Sequence, residues 1–416
     1  MHYFSKIGSW VCISACGYLC NVAHAKLPTD ITTSEDPKAN LTRLITTLRQ
    51  LEGRDVPSDL RDVMSKFDAA TNEQQIRNSL RTLLPEISRH QALRERAGLR
   101  RRPHWTANHN RVENGRPTTT ISNLDWLTNT STSYPPTTDL WLQGWNDSGS
   151  QDDEDGFDGF DSSSSGITFG VGYSRANATG SFSLGASIGT YIGDVASSDF
   201  GQDDTDADEY SFSLVYSKGN HSFDASIGRA ETAAARDRVV RIDTDEDHRQ
   251  FTLHPDFDTI QNAYSVGYSW YRAKGDLAFV PYISATYATT ETDDYVESGG
   301  ALGLSVQTAD EAQLLGTIGS SMAWVFFSGN WAISPSVTLA FEHDFRADPT
   351  TTVSHFSGTA TSFTTTGIDV EDSRWRYSFG LQMMHTSSFS IGFSYDGQRK
   401  DNYRYDAAVI AVQIEI

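Results

Sequence analysis

The chain has 416 residues, with 33 Lys and Arg against 54 Asp and Glu and a formal net charge of −21. Its mean hydropathy of −0.44 excludes a bundle of apolar membrane helices beyond the N-terminal segment. The charge is unevenly spread: residues 26–138 carry about 17 basic and 13 acidic side chains, residues 139–416 about 15 and 41, which excludes nucleic-acid binding by the acidic part on electrostatic grounds.

The N-terminus, MHYFSKIGSWVCISACGYLCNVAHAK, has a lysine, an apolar run from Ile7 to Cys20 and then Ala23-His24-Ala25. That order predicts an export signal over residues 1–25. Ile13-Ser14-Ala15-Cys16 has the shape of a lipidation box, which leaves a second mode of processing open. All the cysteines (Cys12, Cys16, Cys20) lie in this segment, so the mature chain is exported yet cannot form a disulfide, a combination that suits a bacterial envelope protein better than a small secreted domain.

Within residues 26–102, the chain from Asn40 to about Arg102 reads as helical. Leu41, Leu44, Ile45, Leu48 and Leu51 fall on one face, Leu60, Val63, Met64 and Phe67 repeat it, and Thr71 with Gln74 makes a capping box before Ile76, Leu80 and Leu83. Pro57 and Pro85 punctuate the pieces. The apolar surface is too small for an independent core, which predicts a unit of marginal stability alone. Residues 103–138, rich in Thr, Asn, Ser and Pro, read as a linker.

From Asp139 to the end the period is two. Phe182, Leu184, Ala186 and Ile188 alternate with small or polar residues, as do Tyr264, Val266, Tyr268 and Trp270, and Ile410, Val412, Ile414 and Ile416. About twelve such strands fit between Leu140 and Ile416. Their connections alternate in length, with tight links at 175–180, 217–221, 272–276, 327–330 and 385–388, and longer polar links at 146–165, 193–208, 229–258, 290–311, 347–372 and 396–402. Alternating short and long connections predict an all-β transmembrane barrel of about 12 antiparallel strands, closed because an open edge would leave peptide groups unpaired in hydrocarbon, and preceded by a small α-helical segment.

Motifs for chemistry are weak. The acidic run DDEDGFDGFD (Asp152–Asp161) fails as a calcium loop, because aligning its glycine on Gly156 puts Gln151 at the first ligand position and Ser162 at the last. It reads as the first surface loop. Ser187 in Gly185-Ala-Ser-Ile-Gly189 sits inside a period-two run rather than at a strand-to-helix elbow. His248 and His254, with Asp245, Asp247 and Asp256 nearby, match no metal template, and Glu342-His343-Asp344 are strand neighbours that point to opposite faces. The expected catalytic residues, metal ligands and cofactors are therefore none, and the expected protein is not an enzyme; an outer-membrane hydrolase acting at the barrel rim is the outlying reading.

LWLQGW (Leu140–Trp145), the acidic Gly-rich stretch with GFD and then GITFGVGYS resemble the opening of the autotransporter translocator domain. FVPYISATY (Phe279–Tyr287), SPSVTLAFEHDFRAD (Ser334–Asp348) and HFSGTATSFTTTGIDVEDSRWRYSFGLQ (His355–Gln382) resemble its later strands, and RTLLPEISR (Arg81–Arg89) the residual passenger stalk of small members. The resemblance covers about residues 139–416. It implies a type V secretion module: a monomeric outer-membrane barrel over 139–416, a linker entering it over 103–138, and a short helical passenger or stalk over 26–102 carried to the cell surface. It also implies outer-membrane lipid and lipopolysaccharide, the barrel-assembly machinery and periplasmic chaperones as partners. The terminal Ile416 departs from the family's usual Phe or Trp. Within this reading the basic stretch Arg94, Arg96, Arg100, Arg101 and Arg102 is expected to occupy the acidic pore. The alternative is an outer-membrane channel or surface adhesin whose helical segment is periplasmic.

Overall fold

The computed structural model describes residues 37–69, 73–85, 111–113, 116–118, 136–153, 159–177, 180–197, 201–235, 237–243, 248–367, 371–385 and 389–416, all within one compact unit, Glu35–Ile416. The export signal, Thr71 of the capping box, Asp245, Asp247 and the five arginines between 94 and 102 lie outside the described residues.

Twelve long antiparallel strands follow one another around a closed sheet. They are β1 (Thr137–Gln151), β2 (Phe160–Asn177), β3 (Gly180–Ser197), β4 (Gly201–Lys218), β5 (His221–Ala235), β6 (Asp256–Trp270), β7 (Leu277–Thr292), β8 (Glu311–Trp324), β9 (Trp331–Asp344), β10 (Ser373–His385), β11 (Phe389–Arg399) and β12 (Tyr403–Glu415). Closure is made by β12 on β1, with Ile414 opposite Leu140 and Tyr403 opposite Gln151. Every strand thus has two neighbours, which removes the open edge that hydrocarbon cannot tolerate.

The two ends of the barrel differ. At one end β4–β5, β6–β7 and β8–β9 are joined by two-residue turns, Gly219-Asn220, Gly275-Asp276 and Gly329-Asn330, with short strand extensions Arg272–Lys274 and Phe326–Ser328 leading into the second and third. Each turn glycine has φ near +60° (58°, 59° and 60°), a conformation that side chains resist and that two-residue hairpins require. At the other end lie the longer connections, three of which fold further. Arg238–Asp243 pairs with His248–Leu253 in the β5–β6 loop, and the β7–β8 and β9–β10 loops together build a second sheet in the order Tyr295–Val296, Leu304–Thr308, Thr351–Phe356, Ser362–Thr366.

Two expected loops are corrected here. Residues 146–165 and 193–208 are largely ladder: β1 pairs with β2 as far as Gln151 opposite Phe160, and β3 with β4 as far as Ser197 opposite Gly201. These strands rise past the apolar band on Ser, Asp, Gly and Thr, so the hydrophobic alternation stops while the backbone hydrogen bonding continues. Within 103–138, read as linker, Arg111–Glu113 and Arg116–Thr118 form a short antiparallel pair.

Side-chain polarity is inverted relative to a water-soluble core. Outward positions such as Ile167, Phe169, Ile188, Ile283, Leu339 and Phe393 are exposed, Ile188 by 53%, whereas inward neighbours such as Thr168, Gln143, Gln261 and Thr286 are buried. Exposed rings collect at the turn end (Tyr173, Phe223, Phe279, Trp324, Trp331) and again toward the loop end (Tyr210, Tyr264, Trp375, Tyr395), as girdles at the two interfaces of a bilayer do. Inside, the Trp141 indole sits against Gly170, where a Cβ would come 2.1 Å from it.

The N-terminal part forms three helices, α1 (Pro37–Leu51), α2 (Ser58–Ala69) and α3 (Glu73–Thr82). Gly53, at φ 74°, ends the first turn after α1. Their apolar faces are the ones expected from the periodicity, but they do not make a separate core.

Candidate functional site

Two places in this architecture gather chemistry: the barrel interior and the docking of the helices on the loop end. In the interior, strand alternation turns the carboxylates of Asp139, Asp147, Glu209, Asp224, Glu342 and Asp396 inward. Among the described strand residues the inward guanidinium groups are those of Arg374 and Arg376 on β10. Both reach Glu342 on β9: Arg374 Nε donates to Oε2 at 2.8 Å and Arg376 Nη1 to Oε1 at 2.9 Å, with Thr317 Oγ1 donating to Oε1 at 3.0 Å. Glu342 and Arg374 are almost fully buried. The described wall of the lumen is therefore acidic overall, and its basic groups are already engaged.

At the loop end, Leu44, Leu48 and Leu51 of α1, Leu60 and Val63 of α2, and Leu80 of α3 form one core with Val240, Ile242 and Leu253 of the first loop hairpin and Leu304, Val306, Phe356 and Phe363 of the second sheet. Polar contacts frame it. Asn40, Arg43 and Thr47, on one side of α1, bond to the edge strand Ser362–Thr366. Asn40 Nδ2 donates to Thr366 O at 2.8 Å while its Oδ1 accepts from Thr366 N at 3.1 Å, Arg43 Nη1 reaches Thr364 O at 3.4 Å, and Thr47 Oγ1 reaches Ser362 O at 3.4 Å. On α3, Ser79 Oγ accepts from Asp243 N at 2.8 Å and donates to Asp243 O at 3.1 Å, and Thr82 Oγ1 accepts from Arg241 N at 3.1 Å. Arg238 is fully buried and ties three segments together: its Nε donates to Glu297 Oε1 at 2.6 Å and its Nη1 to Thr82 O at 2.7 Å, at the C-terminal end of α3. Arg249 pairs with Asp62 of α2 at 2.7 Å.

The other sequence candidates each have a near partner in a strand or loop. Ser187 faces inward in β3 with its Oγ 2.6 Å from Ser211 Oγ, as strand geometry requires and a nucleophile elbow does not. His254 Nδ1 lies 2.5 Å from Asp237 and His248 beside Asp243, at opposite ends of one hairpin. Among the described residues no three metal-ligating side chains converge. Glu342 faces the lumen, whereas His343 bonds outward to Ser373 at 3.2 Å. The Arg238–Glu297 pair was missed in the sequence, since 59 positions separate its members and neither belongs to a recognisable motif.

The sequence matches the family described as autotransporter beta-domain over residues 140–396. No curated protein matches it. Among solved structures, the β-domain of the Bordetella autotransporter BrkA is 12% identical, with 67% of this chain and 100% of that one covered at a TM-score of 0.50. The translocator domain of NalP from Neisseria meningitidis is 14% identical, with 70% and 91% covered at 0.49. The first of these likenesses concerns the barrel fold alone. With the β-domain spanning well over half its length, the chain belongs to the autotransporter family.

Proposed function

We propose that this protein is a non-enzymatic autotransporter that carries its own short helical segment to the cell surface and keeps it there. Family membership puts the barrel in the outer membrane, and the translocator barrel of this family is not itself an enzyme. The observation that carries the finer reading is topological. The helices pack on the loop end, whereas β1 begins at Thr137 beside Ser174, at the tight-turn end. Pro85 and Pro136, the described ends of the connection, thus stand at opposite ends of the barrel, and the proposal takes the connection from one to the other. Outside the barrel that route crosses hydrocarbon, and inside it meets a polar, acidic wall. Some 50 residues suffice in any conformation, since even at a helical rise of about 1.5 Å per residue they exceed an apolar band of about 25 Å.

The basic run Arg94, Arg96, Arg100, Arg101 and Arg102 falls in this connection, and its charge complements the lumen. Outer-membrane lipid and lipopolysaccharide around the apolar band, and the barrel-assembly machinery with periplasmic chaperones during insertion, are the partners of such a monomer. A channel or adhesin with periplasmic helices would need the helices on the turn side, away from the loops.

The test is protease shaving of intact and permeabilised cells carrying an epitope tag after Lys26. Loss of the tag from intact cells is the expected result. Loss only after permeabilisation, with the barrel loops cut from outside, means that the helices are periplasmic and the secretion reading is wrong.

A further inference from the structure

Among the described residues, both loop sheets end in strands that have no strand neighbour on the side facing the helices: Arg238–Asp243 in one, Ser362–Thr366 in the other. An open edge in a loop is a template for unwanted pairing, and proteins normally blunt or cover it. Here α1 and α3 cover these edges with side chains spaced to match backbone groups. Asn40, Arg43 and Thr47 answer the carbonyls of Thr366, Thr364 and Ser362, every second residue of the strand, and Ser79 and Thr82 answer Asp243 and Arg241 in the same way. Each helix acts as a surrogate strand. Between the two edges, the apolar faces of helices and loops close into one core. Helices of 10 to 15 residues are marginal alone in water, and the loop sheets without them expose Val240, Ile242, Leu304 and Phe363.

We propose that the β5–β6, β7–β8 and β9–β10 loops form a built docking site whose ligand is the α1–α3 segment of the same chain, and that this segment stays bound with no covalent link to the barrel. The interface resembles an obligate one, a domain core divided between two pieces, rather than a surface contact. Proteolysis between α3 and β1 then cuts the chain without releasing the helices. The inference deepens the surface-display reading by naming what retains the segment, but it does not depend on which side of the membrane the loops face.

The test uses the full chain with a unique protease sequence inserted after Pro103 and an affinity tag ahead of α1. The chain is cut in denaturant, refolded in detergent, and bound to the tag resin, with barrel folding scored by heat-modifiable migration. The expected result is a folded barrel held on the resin through the helical fragment and lost from it in the Leu60→Asp, Val63→Asp variant. A folded wild-type barrel that washes through overturns the proposal. So does retention that survives the double substitution, because the tie would then not be the docked face. Where the cut chain does not refold, amide exchange on the uncut protein decides. Ser79→Ala with Thr82→Ala should raise exchange at Arg241 and Asp243 at least tenfold, and unchanged exchange there overturns the proposal. Detergent has no sides, so a failure here is separate from a failure of the shaving experiment.

Discussion

Asn40 and Thr366, 326 positions apart, exchange two hydrogen bonds, amide to carbonyl and backbone N–H to amide oxygen. The asparagine side chain reproduces for one residue what a neighbouring strand would supply, and both residues are buried. Asn40→Ala removes both partners and leaves a buried N–H and a buried C=O unmet, at a cost of about 1–3 kcal/mol. Amide exchange over 362–366 should therefore accelerate roughly tenfold or more, while the ladder of Leu304–Thr308 with Thr351–Phe356 one strand further in changes little. Equal acceleration across the sheet would mean that the helix holds it by its apolar face alone.

Arg238 and Glu297 are both nearly inaccessible, their charged groups 2.5 Å apart at closest approach. Removing one partner strands a buried charge, so Arg238→Met should destabilise the loop and helix unit by about 3–5 kcal/mol. The double change Arg238→Met, Glu297→Leu should recover much of that loss, although Leu304 N–H, which donates to Glu297 at 2.9 Å, then goes unmet. Limited proteolysis of the refolded protein against urea measures both, with the barrel's heat-modifiability as the control.

Phe169 and Ile188 stand opposite each other on β2 and β3 and face outward. If this face meets hydrocarbon, Ile188→Arg should cost about 2–4 kcal/mol near the midplane. The inward neighbour Ser187→Ala should cost much less, since it deletes one hydroxyl contact with Ser211. Refolding midpoints in lipid vesicles give the two values, and equal effects would contradict the assignment of faces.

The barrel was legible because each strand needs one apolar and one polar face for different solvents, which writes period two into residues such as Tyr264, Val266, Tyr268 and Trp270. The helices were legible for the corresponding reason at period 3.6. What they pack against was not. Leu60 and Val63 declare an apolar face, but the face that receives them is assembled from Val240, Ile242, Leu304 and Phe363 in three separate loops. Short loop strands with mixed polarity look like polar connections until a partner covers one side. The upper ladders of β1 to β4 were read as loops because their outer faces are polar there and the inward apolar residues, such as Phe160 and Val195, are too isolated to show a period, and backbone pairing leaves no trace in side-chain hydropathy.

The lumen gives the last prediction. Glu342 is held by Arg374 and Arg376, so the remaining inward carboxylates, from Asp139 at the turn end to Asp396 toward the loops, make the described wall net negative. In a confined channel, where water screens poorly, that wall attracts a basic strand of chain more strongly than an open surface does. Replacing Arg100, Arg101 and Arg102 with Glu turns the attraction into repulsion, and single-channel recording in planar bilayers should then show larger or more frequent open events than the wild-type barrel. The effect should weaken as salt rises from 0.1 M to 1 M, because the screening length falls from about 10 Å to about 3 Å. Unchanged conductance in the triple variant at low salt would remove the basic segment from the pore and leave the route of the connecting chain to be carried by other residues.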